Sequence, residues 1–343
     1  MRSFAVCVCA YNEEAVIEEK VHNLLALRQS TDLPVEILVY VDAATDRTAE
    51  ILQPYSDRLH LVIAAERRGK SAGMNRLVSL STADVLVFTD ANVMMEPMAL
   101  MRLKPYFSDP TVGCVCGHLV YTNAAETATA AVGAAYWRSE EELKQLDSDT
   151  GGVIGADGSI FAIRRSLHRP VPDDIIDDFY LSLSILCDGH KVIRADDVRA
   201  TETSAAESSD EFRRKVRIAC QAFNVHRLMR HRLRCLHWTL RYKYVSHKLL
   251  RWLSPLTASA GTAFFALAMA AWLGWPVGLL VLVLATTGVD FLVTGPVPAP
   301  LQRPREIALA LAGTAVGVVR SLQGKRFQTW RPPQSRAMRT TNS

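Results

Sequence analysis

Between Phe212 and Val289 the chain contains no Asp or Glu, while Lys and Arg crowd the first part of that interval. Inside it, Leu253 to Leu273 carries no charge over a length sufficient to cross a bilayer. Beyond a turn at Gly274, Trp275 and Pro276, a second apolar stretch runs from Val277 to Thr294. The pair predicts a transmembrane helical hairpin. Asp290 lies within the second stretch, where burial in lipid is costly, and its place near the helix end favours an interfacial position. A third stretch, Ile307 to Val319, is shorter than the ~17 residues a span needs. It leaves spanning, re-entrant and interfacial placements open.

The basic residues set the orientation. Arg227, Arg230, Arg232, Arg234, Arg241, Lys243, Lys248 and Arg251 precede the first span, and Arg303, Arg305, Lys325, Arg326, Arg331 and Arg336 follow the second. Cytosolic loops are enriched in Lys and Arg, so both flanks are expected in the cytosol, with an even number of spans. Anionic lipid and topology account for this tract, and no nucleic acid partner is needed to explain it. Met1 to Ala10 is an apolar run of strand length followed by Glu13 and Glu14, which is no signal peptide, so the large N-terminal domain is expected to stay in the cytosol.

Ahead of the basic tract, short β-branched runs alternate with helix-like stretches. Phe4 to Cys9, Val35 to Val41, Leu59 to Ile63, Asp84 to Thr89 and Val112 to Val120 read as strands, and Glu13 to Leu27, Thr48 to Leu52, Lys70 to Leu80 and Met98 to Tyr106 as helices. Such alternation predicts an α/β fold with a largely parallel, doubly wound, Rossmann-like nucleotide-binding sheet, whose ligands bind at the carboxyl ends of strands. A longer helix is expected from Thr127 to Gln145, a strand around Ser159 to Ile163, and a surface loop from Glu202 to Asp210 before a basic helix starting near Glu211. The divisions that follow are a cytosolic domain over 1–235, a basic juxtamembrane segment over 236–252, the hairpin over 253–294, and a third apolar segment with a basic tail over 295–343. Cys7 with Cys9, and Cys114 with Cys116, each put two thiols on one strand face. That spacing is shorter than structural zinc sites use, so core thiols are the expectation, without disulfides in the cytosol.

Two strand ends carry the polar groups. Asp42 ends the second predicted strand, where a carboxylate can accept hydrogen bonds from a base or ribose, and Asp46 suits a helix cap. Asp90 and Asn92 end the fourth and are both oxygen ligands for a hard cation, Mg²⁺ or Mn²⁺, that would neutralise charge on a diphosphate leaving group. Tyr136 and Trp137, as aromatics within a helix, read as core.

In chain order these stretches resemble the nucleotide-sugar glycosyltransferases of family two, the inverting group that includes cellulose, chitin and hyaluronan synthases and has the GT-A fold. Val6 to Glu14, with Tyr11, Asn12 and Glu13, is similar to their opening strand and Asn-Glu turn. Asp42 to Thr48 resembles Asp-Gly-Ser-Thr-Asp-Gly-Thr, Gly69-Lys70 with Asn75 their Gly-Lys and Asn, and Asp90-Ala91-Asn92 their Asp-x-Asp. Gly155 to Arg165 resembles the acceptor-side segment, Asp177-Asp178-Phe179-Tyr180-Leu181-Ser182 the Glu-Asp pair with its Leu-Ser, and Arg214 to Ile218 the Gln-x-x-Arg-Trp motif. Val41 stands where a first Asp is common, Asn92 replaces the second Asp of Asp-x-Asp, and Arg214 and Ile218 replace Gln and Trp. The lost Trp contacts acceptor sugar in processive synthases and counts against processive polymerisation here.

The resemblance implies a glycosyltransferase of cell-surface polysaccharide or glycolipid synthesis in a bacterial inner membrane, with its catalytic domain cytoplasmic. It takes sugar from a UDP-linked donor to a saccharide or lipid-linked acceptor, among membrane lipid and partners of a polysaccharide synthesis and export apparatus. It makes Asp178 the general base with Asp177 in support. Tyr11, Asn12, Glu13, Asp42, Lys70, Asp90, Arg214 and Arg217 become donor contacts, Gly155, Asp157 and Gly158 acceptor-side residues, and Asp90 with Asn92 the ligands of the divalent cation. Independently of it, adjacent Asp177 and Asp178 would raise one pKa by like-charge repulsion, as suits a base, and equally suit a plain helix start. The guanidinium groups of Arg214 and Arg217 suit diphosphate. Two rivals are weighed. A nucleotidyltransferase or nicotinamide enzyme lacks its Gly-x-Gly-x-x-Gly or Walker loop here. A non-catalytic nucleotide-binding subunit of an export complex would be separated by assay alone.

Overall fold

The run Phe4–Ala10 is apolar at every position because both faces of the strand it forms are covered. Phe4, Val6, Val8 and Ala10 enter one core, and Ala5, Cys7 and Cys9 the other. The computed structural model describes residues 3–122, 128–203, 208–295 and 297–329. Its first half runs β1 (Phe4–Ala10), α1 (Ile17–Gln29), β2 (Val35–Val41), α2 (Thr48–Leu52), β3 (His60–Ile63), α3 (Lys70–Leu80), β4 (Val85–Asp90), β5 (Met94–Met95) and α4 (Ala99–Tyr106). Then come β6 (Val112–Tyr121), α5 (Ala128–Asp149), β7 (Ile160–Arg164), α6 (Asp177–Cys187), β8 (Lys191–Glu202) and α7 (Ser208–Arg234). The apolar part is α8 (Trp238–Tyr244), a π-turn, α9 (Leu250–Leu273), α10 (Trp275–Thr294) and α11 (Gln302–Leu322).

The sheet order is β3-β2-β1-β4-β7-β6-β8-β5. The expected parallel sheet holds for β3, β2, β1 and β4 and requires correction beyond them, where the sheet is mixed. After the excursion through α5 the chain enters beside the end of β4, so β7 runs antiparallel to β4 and to β6, with Ile160 opposite Thr89. This reversal delivers the loop before β7 to the carboxyl end of β4, next to Asp90. The four cysteines predicted to pair on strand faces, Cys7, Cys9, Cys114 and Cys116, are all buried in one core. Of the predicted loop Glu202 to Asp210, Glu202 ends β8, α7 has begun by Ser208, and residues 204–207 lie outside the described residues. Thr127, Arg331 and Arg336 lie outside them too.

Two helical segments, Trp238–Leu273 and Trp275–Leu292, are long and apolar enough to cross a membrane by length and composition. They join the sheet domain through an aromatic cluster. The Trp252 ring meets Phe179 at 5.9 Å and Phe223 at 5.8 Å, both edge-on, and the Tyr244 hydroxyl lies 2.7 Å from His226 Nδ1. The third apolar stretch falls in α11, which packs along α7. Gly313 and Gly317 permit that closeness: a Cβ on Gly317 would stand 2.6 Å from the Val216 carbonyl oxygen and 2.7 Å from Ala219 Cβ.

Gly317→Leu is therefore expected to force α11 off α7. Overpacking of this kind costs about 1–3 kcal/mol, read as a lowered thermal midpoint with faster proteolysis after residue 322. An unchanged midpoint would show that the α7–α11 contact contributes little.

Candidate functional site

The loops leaving β1 and β2 are tied to each other. Asn12, held at φ 54°, donates from Nδ2 to Thr45 Oγ1 at 3.0 Å and accepts from the Thr45 amide at 2.8 Å. The Glu13 amide donates to Thr48 Oγ1 at 2.9 Å. Asp46 accepts from the Thr48 amide at 3.0 Å and from the Glu14 amide at 3.0 Å, the capping role its position suggested. Asp42 is fully buried. Its carboxylate accepts from the Arg68 amide at 2.8 Å and the Gly69 amide at 3.0 Å, so it anchors the loop between β3 and α3. Arg67 from that loop stands 3.7 Å from Asp42 and lays its guanidinium 3.4 Å from the centre of the Tyr11 ring. Tyr11, Asp42 and Arg67 thus form one flat-walled corner. Sequence reading found the first two and missed Arg67, whose only signal was its place in the Arg67-Arg68-Gly69 run.

Helix α3 then points its first turn into the site. Lys70 Nζ lies 2.8 Å from Asp90 Oδ1 and 3.7 Å from Asp177 Oδ2. Burial works against the Lys70 charge, but Asp177, Asp90 and Asp178 outweigh it and hold the ammonium well above its ordinary pKa. The same helix positions the chain that leads to Asp177. Ser71 Oγ donates to the Ile175 carbonyl at 2.6 Å, while Asn75 donates to the Val171 carbonyl at 2.7 Å and accepts from the Val171 amide at 3.0 Å.

Asp177 and Asp178 open α6, where the helix N-terminus favours negative charge. Asp177 is 2% exposed, and its Oδ2 accepts no hydrogen bond from the described residues. Burial, then the Asp177 charge, push the Asp178 carboxyl up to about 7, against the pull of Lys70 and of the Phe179 amide. Glycine at 158 leaves the space tight but open: a Cβ there would stand 3.0 Å from both Asp178 Oδ2 and Lys70 Nζ. Gly155 (φ 90°) likewise leaves room for the Phe179 ring. Asp157 turns away from this space, pairing with Lys144 at 2.6 Å and accepting from the Ser159 amide at 3.2 Å. It holds the turn before β7 from behind.

The far wall is α7. Arg214 pairs with Glu211 at 3.3 Å, and Tyr121 with Glu211 raises its pKa further. Arg217 makes no hydrogen bond or ion pair with a described residue. Burial and then Arg214 push its pKa down, while Asp90, Asp178 and Asp177 pull the other way, which places its guanidinium in the field of the acid cluster. Asn92 donates to Glu202 Oε1 at 2.6 Å, leaving its amide oxygen as the available ligand. After α11 the chain returns across this opening. The Phe327 carbonyl accepts from Gln221 at 2.8 Å, Arg326 stands 3.4 Å from Asp174, and a Cβ on Gly69 would overlap the Gln328 carbonyl.

Comparison with known proteins agrees with this geometry. Residues 5–171 match the sequence model of glycosyl transferase family 2. An N-acetylglucosaminyltransferase of Rhizobium leguminosarum bv. viciae is 24% identical over 55% of this chain and 48% of its own. A probable glycosyltransferase of Bacillus subtilis is 32% identical over 36% of this chain and 31% of its own. The chain thus spans half or less of the length of these relatives. A mannosyltransferase of Pyrobaculum calidifontis, solved with GDP-Man and Mn²⁺, superposes with a TM-score of 0.65 at 24% identity, over 94% of this chain and 87% of that one. The fold is GT-A-like, with a mixed sheet.

Asp178 makes stability depend on pH in a defined sense. Its carboxyl titrates at about 7 when folded, against an ordinary 3.8, so the folded state holds a proton that the unfolded chain has released. No penalty exists below about pH 4; it grows as pH rises and is complete above the folded value. Asp178→Asn should therefore unfold at a higher temperature than wild type at pH 8, with the gap closing by pH 4. A gap that is constant with pH would disprove the raised pKa.

Proposed function

We propose that the chain is a membrane-anchored, inverting glycosyltransferase that moves a sugar from a nucleotide donor, UDP-linked, to a saccharide or lipid-linked acceptor in cell-surface polysaccharide or glycolipid synthesis. The observation that carries this reading is the convergence of Asp90, Lys70, Asp178 and Arg217 where the ends of β4, α3, α6 and α7 meet. Inversion needs a base on one side of the anomeric carbon and charge stabilisation for the departing diphosphate on the other. Asp178 supplies the first. With a pKa near working pH, it is ionised often enough to accept the acceptor hydroxyl proton and basic enough to hold it. Asp177, buried beside it, keeps that pKa up. Arg217 supplies the second, as a desolvated guanidinium whose fork fits phosphate oxygens.

The residues fit a hard divalent cation. Asp90, with its side chain 39% exposed, and the Asn92 amide oxygen offer two hard donors, and such ions commonly take their remaining ligands from phosphate and water. Bound there, Mg²⁺ or Mn²⁺ would neutralise charge on the diphosphate. The Pyrobaculum mannosyltransferase, solved with Mn²⁺, supports this choice. Lys70, which pairs with Asp90 at 2.8 Å, would then be released toward Asp177 and the donor phosphates. Tyr11 takes the base, and Asp42, fully buried, serves the donor side only through the Arg68-Gly69 loop that its carboxylate holds, with Asn12 and Glu13 fixing the turn beside it. Arg214 orients the wall from which Arg217 projects, and Gly155, Asp157 and Gly158 shape the acceptor side. The two apolar helices anchor the chain in a bacterial inner membrane, with the sheet domain on the cytoplasmic face and the exposed Arg241 at the anionic surface, whereas Lys243 and Lys248 turn inward to Asp147 and Glu140.

Incubating the protein in membranes with radiolabelled UDP sugars should move label into lipid extract or polymer. Asp178→Asn should lower that transfer by roughly 10²- to 10⁴-fold with UDP binding kept, and Asp177→Asn by less. Full transfer by both variants would place the base elsewhere. In calorimetry UDP should bind more tightly with Mn²⁺ than with chelator, and Asp90→Ala should abolish the difference. Equal affinities in wild type would sink the cation.

A further inference from the structure

Helix α1 turns Ile17, Lys20, Val21 and Leu24 toward the sheet, so a lysine occupies the apolar face of an amphipathic helix. Lys20 is 0% exposed and makes no ion pair with a described residue. Burial pushes its pKa down to about 7, opposed only by the Asp90 charge, which measures how poorly this pocket suits an ammonium. A buried, unpaired charge is costly, and an apolar side chain of similar length would serve the core better. Departures of this kind concentrate where function demands them.

The partners of Lys20 give the reason for its presence. Its Nζ donates to Thr89 Oγ1 at 3.2 Å and to the Val93 carbonyl. Thr89 immediately precedes Asp90, and Val93 immediately follows Asn92. One turn further along α1, Asn23 donates to the Met95 carbonyl at 2.7 Å and accepts from the Met95 amide at 3.1 Å. The segment that presents Asp90 and Asn92 is thus gripped from beneath at Thr89, Val93 and Met95 by a single helix. Its own closing bond, from the Val93 amide to the Asp90 carbonyl at 3.2 Å, is long.

We propose that Lys20 is a positioning residue for the donor-diphosphate site: from inside the core it fixes the turn that carries Asp90 and Asn92. This rests on the reading of that turn as a nucleotide-diphosphate site. Outer partners that orient ligand groups typically change affinity by roughly 10- to 100-fold when removed, without touching the ligand themselves.

The test uses the full-length chain in detergent, with UDP and Mn²⁺ as probe. Lys20→Met removes the charge and keeps the volume, so its thermal midpoint should equal or exceed that of wild type while UDP affinity falls at least about tenfold. Thr89→Val should lose affinity in the same direction, and Thr89→Ser, which keeps the acceptor oxygen, should restore it. A purely structural lysine gives the opposite pattern, a lowered midpoint with UDP affinity intact, and that result overturns the proposal. Should Lys20→Met not fold, the Thr89 pair decides: equal affinities in Val and Ser variants overturn it. Wild type that binds neither UDP nor GDP would instead refute the nucleotide reading beneath it.

Discussion

Three carboxylates, those of Asp90, Asp177 and Asp178, converge on the space around one ammonium, that of Lys70, whose charge offsets their mutual repulsion. Much of the local architecture serves this meeting. β4 ends at Asp90, α3 begins at Lys70, and the hydrogen bonds of Ser71 and Asn75 draw in the loop that starts α6 at Asp177. The reversed strand β7 places Gly158 where a Cβ would press on the end atoms of both charged side chains. A low local dielectric makes the arrangement strong when balanced and costly when any one charge is removed.

The sequence disclosed the elements whose burial pattern is unambiguous. β1 to β4, α2 and α3 fall within a residue or so of expectation; for β1 and β4 burial on both faces demands unbroken apolar runs. It concealed the direction of β7, since a fully buried strand reads the same whichever way it runs. It left α6 and β8 unassigned: Ser182 and Ser184 break the apolar run of α6, whose burial on nearly every face hides a helical period, and charged residues break that of β8. At the site, Asp42, Asp90 and the Asp177-Asp178 pair were legible as carboxylates at element ends. Arg67 and Lys20 were not, because basic residues are solvated by default. Only contact with Tyr11 and with Thr89 distinguishes them. Asp157 shows the converse, an acid legible in the motif whose carboxylate faces a buried lysine and not the opening.

The sheet domain and the apolar helices are one packed body at their junction. α7 contributes Arg214 and Arg217 to the site from its first half and Phe223 and His226 to the aromatic cluster from its second. α11 closes on the same helix through Gly317, and the chain beyond it reaches back to Gln221 and Asp174. One helix thus links the arginine wall of the site, the apolar hairpin and the carboxyl-terminal segment.

Phe179 follows Asp178 directly, and its ring leans edge-on against Trp252 in α9. The lever between the apolar hairpin and the carboxylate is therefore one residue long. In the membrane-anchored form proposed for the chain, a change in the tilt of α9 would bear first on the ring beside that carboxylate.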